Sequence, residues 1–328
     1  MDWNWSGIAG YGLFFLIYGG IYAISALGLN VQWGYTGLFN IGVGGFFLVG
    51  AYTSAIMTKG PDFSHLGGFG QPFLVGVLAG GVLAALLAFL IGIPTLRLRG
   101  DYLAIATIGI AETLRLVVTN EQWLTAGVWG IGGIPKPLLG TFGDAYNAFY
   151  AVLVLTAMVL VYFAIERGIR SPWGRVLKAI REDEAVAQAV GKDIFRFKLQ
   201  ALVLGAFFMG VAGALFAHFV GYISPEAFEP MNATFLVWVM LIVGGSGNSK
   251  GAMLGAFLVW VIWSGTEFVA AALPPTFGPR AHALRIVLIG LLLMIMLLVR
   301  PQGMLGEERQ VSKLLRPAGG GRQAPADG

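Results

Sequence analysis

Charged and hydrogen-bonding side chains set inside apolar stretches are where this chain could do chemistry. Glu112 and Arg115 stand three residues apart, the spacing at which side chains meet on one helix face. A charge in hydrocarbon costs about 2.5–3.5 kcal/mol on insertion scales, so the pair is expected to lock helices together or to line an aqueous vestibule. Glu267 has no partner at helical spacing, and His218 lies near the end of an apolar run; both are expected at the membrane interface. Catalysis has no foothold. There is no cysteine, hence no disulfide framework and no thiol nucleophile, and the three histidines (His65, His218, His282) are too scattered for a conventional metal centre. No Gly-x-x-x-x-Gly-Lys-Ser/Thr loop is present to cradle nucleotide phosphates. What remains is a set of neutral groups near places where helices must break: Asn40, Thr107, Thr125 and Asn232. Beside unwound backbone they would offer a zwitterion weak, releasable contacts, which makes them candidates for a translocation path. Trp129 is either a further path residue favouring an apolar or aromatic solute, or a loop anchor at the interface. This is the chemistry of carrying a solute, with no cofactor and no metal expected.

The elements that position these groups are membrane helices. Of 328 residues, 57% are hydrophobic and only 12% charged, with a mean hydropathy of +0.76, too few polar side chains to wrap a soluble domain. The 49 glycines are spread through the apolar stretches, as in closely packed membrane helices. A hydrocarbon core about 30 Å thick needs roughly 20 apolar residues in a helix. About nine such runs are read: Ile8–Gly28, Gly34–Met57, Pro72–Ile93, Tyr102–Val118, Ala145–Ile165, Lys198–Tyr222, Ala233–Gly244, Ala252–Leu273 and Ala283–Val299. Ala233–Gly244 is too short to cross alone, and the glycines after it predict a broken or partly re-entrant helix. The fold class is therefore all-α and polytopic, with broken or half-length central helices.

Basic residues set the expected orientation. With the N-terminus outside and nine crossings, 16 of the 21 Lys and Arg fall on the cytoplasmic side. The net charge of +4 thus reflects topology, and no nucleic-acid partner is expected. An inverted repeat is read in the likeness of Gly80–Leu90 to Gly205–Ala217, each followed by a polar exit and a short helix. Residues 1–300 form one transmembrane unit, and 301–328 a cytoplasmic tail whose Pro/Gly/Ala-rich end is expected to be disordered.

The longest polar stretch, Arg167–Lys198, holds eight basic and four acidic residues. Within it Val176, Ile180, Val186 and Val190 recur at near-helical spacing beside small alanines, with Gly191 ending the helix, a form suited to docking on another protein. By composition alone a solvated cytoplasmic hairpin obeying the positive-inside rule is the favoured reading. Gly174–Gly191, with Glu184-Ala185 and then Gly191, resembles the coupling loop of ABC importer permeases, and the longer likeness is to the branched-chain amino acid permease family of the LivM type. Three further blocks carry it: Gly34-Tyr35-Thr36-Gly37 with Gly42, Phe46-Phe47 and Gly50-Ala51-Tyr52; Arg99-Gly100-Asp101-Tyr102-Leu103-Ala104-Ile105-Ala106-Thr107; and Gly244-Gly245 with Gly247, Gly251 and Gly255-Ala256, followed by Arg300-Pro301-Gln302-Gly303-Met304-Leu305-Gly306.

That resemblance implies a permease subunit in a bacterial-type inner membrane, partnered by two ATP-binding subunits, a second related permease and an extracytoplasmic solute-binding protein. It makes Arg181, Asp183, Glu184, Ala185 and Gly191 the ATPase-coupling residues. Two departures leave the solute open: Val43 stands where the family usually has a polar residue, and Thr125-Ala126-Gly127-Val128-Trp129-Gly130 replaces a more polar outer loop. Urea, amides or aromatic acids are alternative cargoes. A stand-alone secondary transporter is the alternative of another class, disfavoured because no span carries the clustered acids that proton or sodium coupling needs.

Overall fold

The computed structural model describes residues 5–61, 65–98, 100–272 and 278–307. Arg99, the side chains of Glu267 and His282, and the tail from residue 308 lie outside the described residues. The chain runs α1 (Trp5–Leu29), α2 (Val43–Thr58), α3 (Phe73–Thr95), α4 (Gly100–Asn120), the single turns α5 (Gln122–Thr125) and α6 (Leu139–Phe142), α7 (Tyr146–Ile169), α8 (Pro172–Glu182), α9 (Glu184–Ala189), α10 (Ile194–Val220), α11 (Leu236–Gly244), α12 (Ser249–Ala272) and α13 (Gly278–Val299). Two residue pairs, β1 (Ile131–Gly132) and β2 (Tyr222–Ile223), make an antiparallel clip. Among the described residues, five helices are long and apolar enough to cross a membrane: Gly10–Gly34, Phe73–Thr95, Gly100–Asn120, Leu139–Ile169 and Ile194–Val220. Shorter apolar helices accompany them at Val43–Thr58, Met231–Gly244 and Arg285–Val299.

Local chemistry sets the ends. Asp183 and Asp193 accept the Val186 and Arg196 amides and so start α9 and α10. Asp101 in the first turn of α4 complements the positive end of its helix dipole.

The apolar run from Gly34 is not one helix. α1 widens into a π-helical turn over Asn30–Gly34, the chain then runs irregularly to Gly42, and helix resumes only at Val43. Asn40 explains the break, because its carboxamide oxygen takes the Gly42 amide and offers the backbone a local alternative to helix. The second broken segment mirrors it. After α10 a 3₁₀ turn (Pro225–Phe228) and a π-helical turn (Met231–Phe235) precede the nine-residue α11, which stops where Gly245 turns to φ +113°.

Helix packing shows how the halves correspond. α2 packs on α3 as α11 packs on α12, α1 packs against α12 as α10 packs against α3, and α4 sits against α2 as α13 sits against α11. α1 ends beside Arg181 of α8, whereas α10 starts near that end and finishes at the β1–β2 clip, so equivalent helices run in opposite directions. The inverted units are therefore α1–α4 and α10–α13. This corrects the pairing of α3 with α10 read from their shared glycines. Those helices are alike because they pack on each other and on α2: a Cβ on Gly80 would lie 2.6 Å from the Gly50 carbonyl oxygen, and one on Gly50 2.0 Å from that of Gly210. Close approach selects small residues on both partners, whatever their place in a repeat.

Candidate functional site

The two broken segments meet at the centre. The Gly44 amide donates to the Thr234 hydroxyl at 2.9 Å, and the Trp238 indole donates to the Asn40 carbonyl at 3.1 Å. Thr107 of α4 accepts the Ile41 amide at 3.0 Å. Asn40, fully buried, donates to Gln32 at 2.7 Å, and Gln32 in turn donates to the Leu202 carbonyl on α10 at 2.8 Å. Backbone freed by the breaks is thus satisfied by side chains, as hydrocarbon surroundings require. Of the residues read as path candidates, the structure brings Asn40 and Thr107 together here and sets Asn232, half-buried, in the second π-helical turn. Thr125 and Trp129 lie elsewhere, toward the clip: Thr125 is buried and donates to the Val118 and Glu121 carbonyls, while Trp129 is exposed and its carbonyl accepts the Tyr222 hydroxyl. Thr234, Trp238 and Gln32 were missed because nothing local distinguishes them; only the meeting of two distant segments gives them a role.

Against this centre lies a mostly apolar groove of about 650 Å³, lined by Trp33, Phe39, Ile41, Ile108, Pro230, Met231, Phe235, Trp238, Leu293 and Leu297 among others. Trp33, Phe39 and Trp238 pack ring against ring with centroids 5.2–5.4 Å apart, which fixes one wall.

α4 presents an unusual face. Ile105, Ile108, Gly109, Glu112, Thr113, Leu116 and Asn120 follow one helical ridge and are exposed or half-buried. The predicted pair is formed: Arg115 Nε and Nη2 fork onto the Glu112 carboxylate at 2.5–3.1 Å, with the side chains 22% and 36% exposed. His218 is sealed by its partners. It is fully buried within the protein near the clip end of α10, where Nδ1 donates to the Pro135 carbonyl and Nε2 accepts from Ser54, so neither nitrogen needs water.

The loop read as one helical face is two helices, bent at Asp183, whose backbone is extended (φ −155°, ψ 110°). Leu177 and Ile180 of α8 are buried, while Ala185, Val186 and Val190 at α9 face outward. Gly191 closes the turn at φ +78° with open space before it, and Glu184 pairs with Lys198. Arg181 points inward instead: it donates to the Gly34 carbonyl, binds Glu307 beyond α13 at 2.6 Å and lies 3.0 Å from where a Cβ on Gly247 would stand. Lys178 lies over the Tyr35 ring, whose hydroxyl bonds Ser249 at 2.8 Å.

A bundle of apolar helices around two inverted, discontinuous segments, with a charged helical loop at one end, is the architecture of an all-α polytopic membrane protein. Comparison of sequences gives the family: residues 11–297 match the one described as branched-chain amino acid transport system, permease component, and the chain belongs to it. Similar proteins include the high-affinity branched-chain amino acid transport system permease LivM of Escherichia coli K12, 36% identical over 93% of this chain and 72% of that one. A probable LivM permease of Methanocaldococcus jannaschii is 30% identical over 89% and 92%, respectively. LivH of Salmonella typhimurium, the permease named for the same kind of system, is 28% identical over 88% and 92%. No solved structure matches.

Proposed function

We propose that the chain is the membrane-spanning permease subunit of an ABC uptake transporter for branched-chain or related apolar amino acids. It works with two ATP-binding subunits, a second related permease and an extracytoplasmic binding protein. Family membership supports the class, and the names of the LivM and LivH relatives support both the solute and the pairing of two permeases. Arg181 carries the mechanism. From α8 it bonds the Gly34 carbonyl in the first broken segment and Glu307 after α13, and it lies against the turn after the second at Gly247, whose amide bonds Asn30 of the first. A push on α8 and α9 by a nucleotide-driven partner therefore reaches the first discontinuous segment through Arg181, and the turn after the second through the Asn30–Gly247 bond. The docking surface is the outward face of α9 with Asp183, Glu184, Ala185 and Gly191.

In this reading residues 1–300 are the transport unit and cross nine times, through α1, 35–58, α3, α4, α7, α10, 224–244, α12 and α13, with 301–328 as the cytoplasmic tail. The distribution of basic residues supports an N-terminus outside, so a Ser6→Cys variant should react with an impermeant thiol reagent and Ser312→Cys should not. The reverse labelling overturns the orientation. Asn40, Thr107 and Asn232 shape the path, with Thr125 and Trp129 at its outer end. The subunit has no nucleotide site of its own.

The test is uptake in vesicles together with co-purification of the ATPase. Gly191→Trp and Glu184→Lys should each lower ATPase association more than tenfold at normal membrane abundance, since loss of a central interface contact costs about 2 kcal/mol or more. Full uptake and full association in both variants would refute the docking.

A further inference from the structure

Directly beyond the apolar groove, charges of both signs stand open, and two independent stretches of chain make that juxtaposition. On α4, Ile108 lines the groove and Glu112 follows one turn later on the same face, with Arg115 next. On the second broken segment, Pro230 and Met231 line the groove, and Glu229 immediately precedes them, close enough for its charge to act on Arg115. α4 also packs against the turn Pro225–Phe228 just before it.

The geometry of the guanidinium decides what this cluster offers. Glu112 occupies the Nε–Nη2 side of Arg115, while among the described residues no protein group bonds Nη1. A guanidinium has five donors in a planar fork, and its Nη1–Nη2 edge matches a carboxylate in two parallel bonds. The Glu229 carboxylate is exposed and likewise has no bonded partner among the described residues. Lipid is a poor neighbour for such groups, since each charge there costs about 2.5–3.5 kcal/mol; the face must open onto water, protein or solute.

We infer that Arg115 and Glu229, at the mouth of the groove, form a transient binding site for a zwitterionic solute with an apolar side chain. Arg115 takes the α-carboxylate on its free edge, Glu229 takes the α-ammonium, and the side chain enters the groove between Ile108 and Met231. Glu112 is a positioning residue that holds the guanidinium fork in register. The site rests on the transport reading above and adds the residues that recognise both charged ends of the cargo.

Binding to the purified transporter complex tests it, measured by saturation-transfer NMR with three probes. These are L-leucine, 4-methylpentanoate, which lacks the ammonium, and isoamylamine, which lacks the carboxylate. The unaltered complex should bind leucine about tenfold better than either analogue. Glu229→Gln should remove leucine's advantage over 4-methylpentanoate and leave its advantage over isoamylamine; Arg115→Gln should do the opposite. Should Arg115→Gln fail to assemble, Arg115→Lys keeps the charge but loses the two-pronged edge, and should narrow the advantage over isoamylamine. A merely structural pair would weaken all three probes alike. Such uniform weakening, unchanged preferences, or an unaltered complex that does not prefer leucine would each overturn the inference. Absence of a co-purifying ATPase would instead overturn the ABC reading, while the probe preferences still decide the site.

Discussion

Two polar clusters lie about a helical turn apart on α4, and they have opposite characters. At Thr107 each of the hydrogen bonds described is internal: Ile41, Gly42 and Gly44 amides, the Asn40 carboxamide and the Trp238 indole all end on protein. At Glu112 and Arg115 one edge of the guanidinium and the neighbouring Glu229 are left open. The first cluster replaces helix hydrogen bonds that the breaks removed, so its side chains belong to the scaffold. The second has no broken backbone to mend. Polar groups of the same kind hold shape where they are sealed and remain available to a ligand where they are open.

The contrast can be broken most severely at the packing that keeps the first cluster sealed. Gly50→Val would drive a side chain into the Gly210 backbone, where there is only 2.0 Å to the carbonyl oxygen even for a Cβ. Backbone cannot move aside as a side-chain tip can, and the cost should exceed the roughly 1–3 kcal/mol of ordinary overpacking. Monodisperse protein in detergent should be lost, as gel filtration will show. Asn40→Leu comes next. It strands the buried Gln32 carbonyl oxygen and the Gly42 amide, at about 1–3 kcal/mol for each unsatisfied group, and should lower the midpoint of thermal unfolding in detergent.

Glu112→Gln sharpens the comparison from the open side. A partly exposed i, i+3 ion pair contributes only about 0.3–0.5 kcal/mol, so the unfolding midpoint should barely move while uptake falls several-fold. Equal losses of stability and uptake would place this cluster with the sealed one. Trp129→Ala should have the smallest effect, within about 0.5 kcal/mol of neutral, because the residue is 79% exposed and the Tyr222 bond uses the backbone carbonyl. A large drop in uptake from this change would mean that the outer end of the path depends on the Trp129 ring itself.

Much of the fold was legible because hydropathy and charge act locally. α3, α4, α7 and α10 fall close to the runs read for them, and the pairing of Glu112 with Arg115 follows from helix spacing alone. The span begun at Gly34 was read as helix because its residues are apolar enough. The Asn40 carboxamide turns the backbone at Gly42, and bonds to Thr107, Thr234 and Trp238, the last two lying about 190 to 200 residues away in the chain, hold the broken segment in place. The burial of His218 was illegible for the same reason: its partners Ser54 and Pro135 are far off in sequence.

By itself the sequence determined that the chain belongs in a membrane, where its helices run, that a charged loop projects from one end, and that this loop resembles a coupling element. Each is a property of composition or of neighbours within a few residues. The tertiary structure decided which helices correspond across the inverted halves, where the two central segments break, that Arg181 ties the loop to the first of them and to Glu307, and that α4 packs against the turn just before Glu229. Those facts depend on which backbone groups in a water-poor interior must find partners across the fold, and no local pattern encodes that choice.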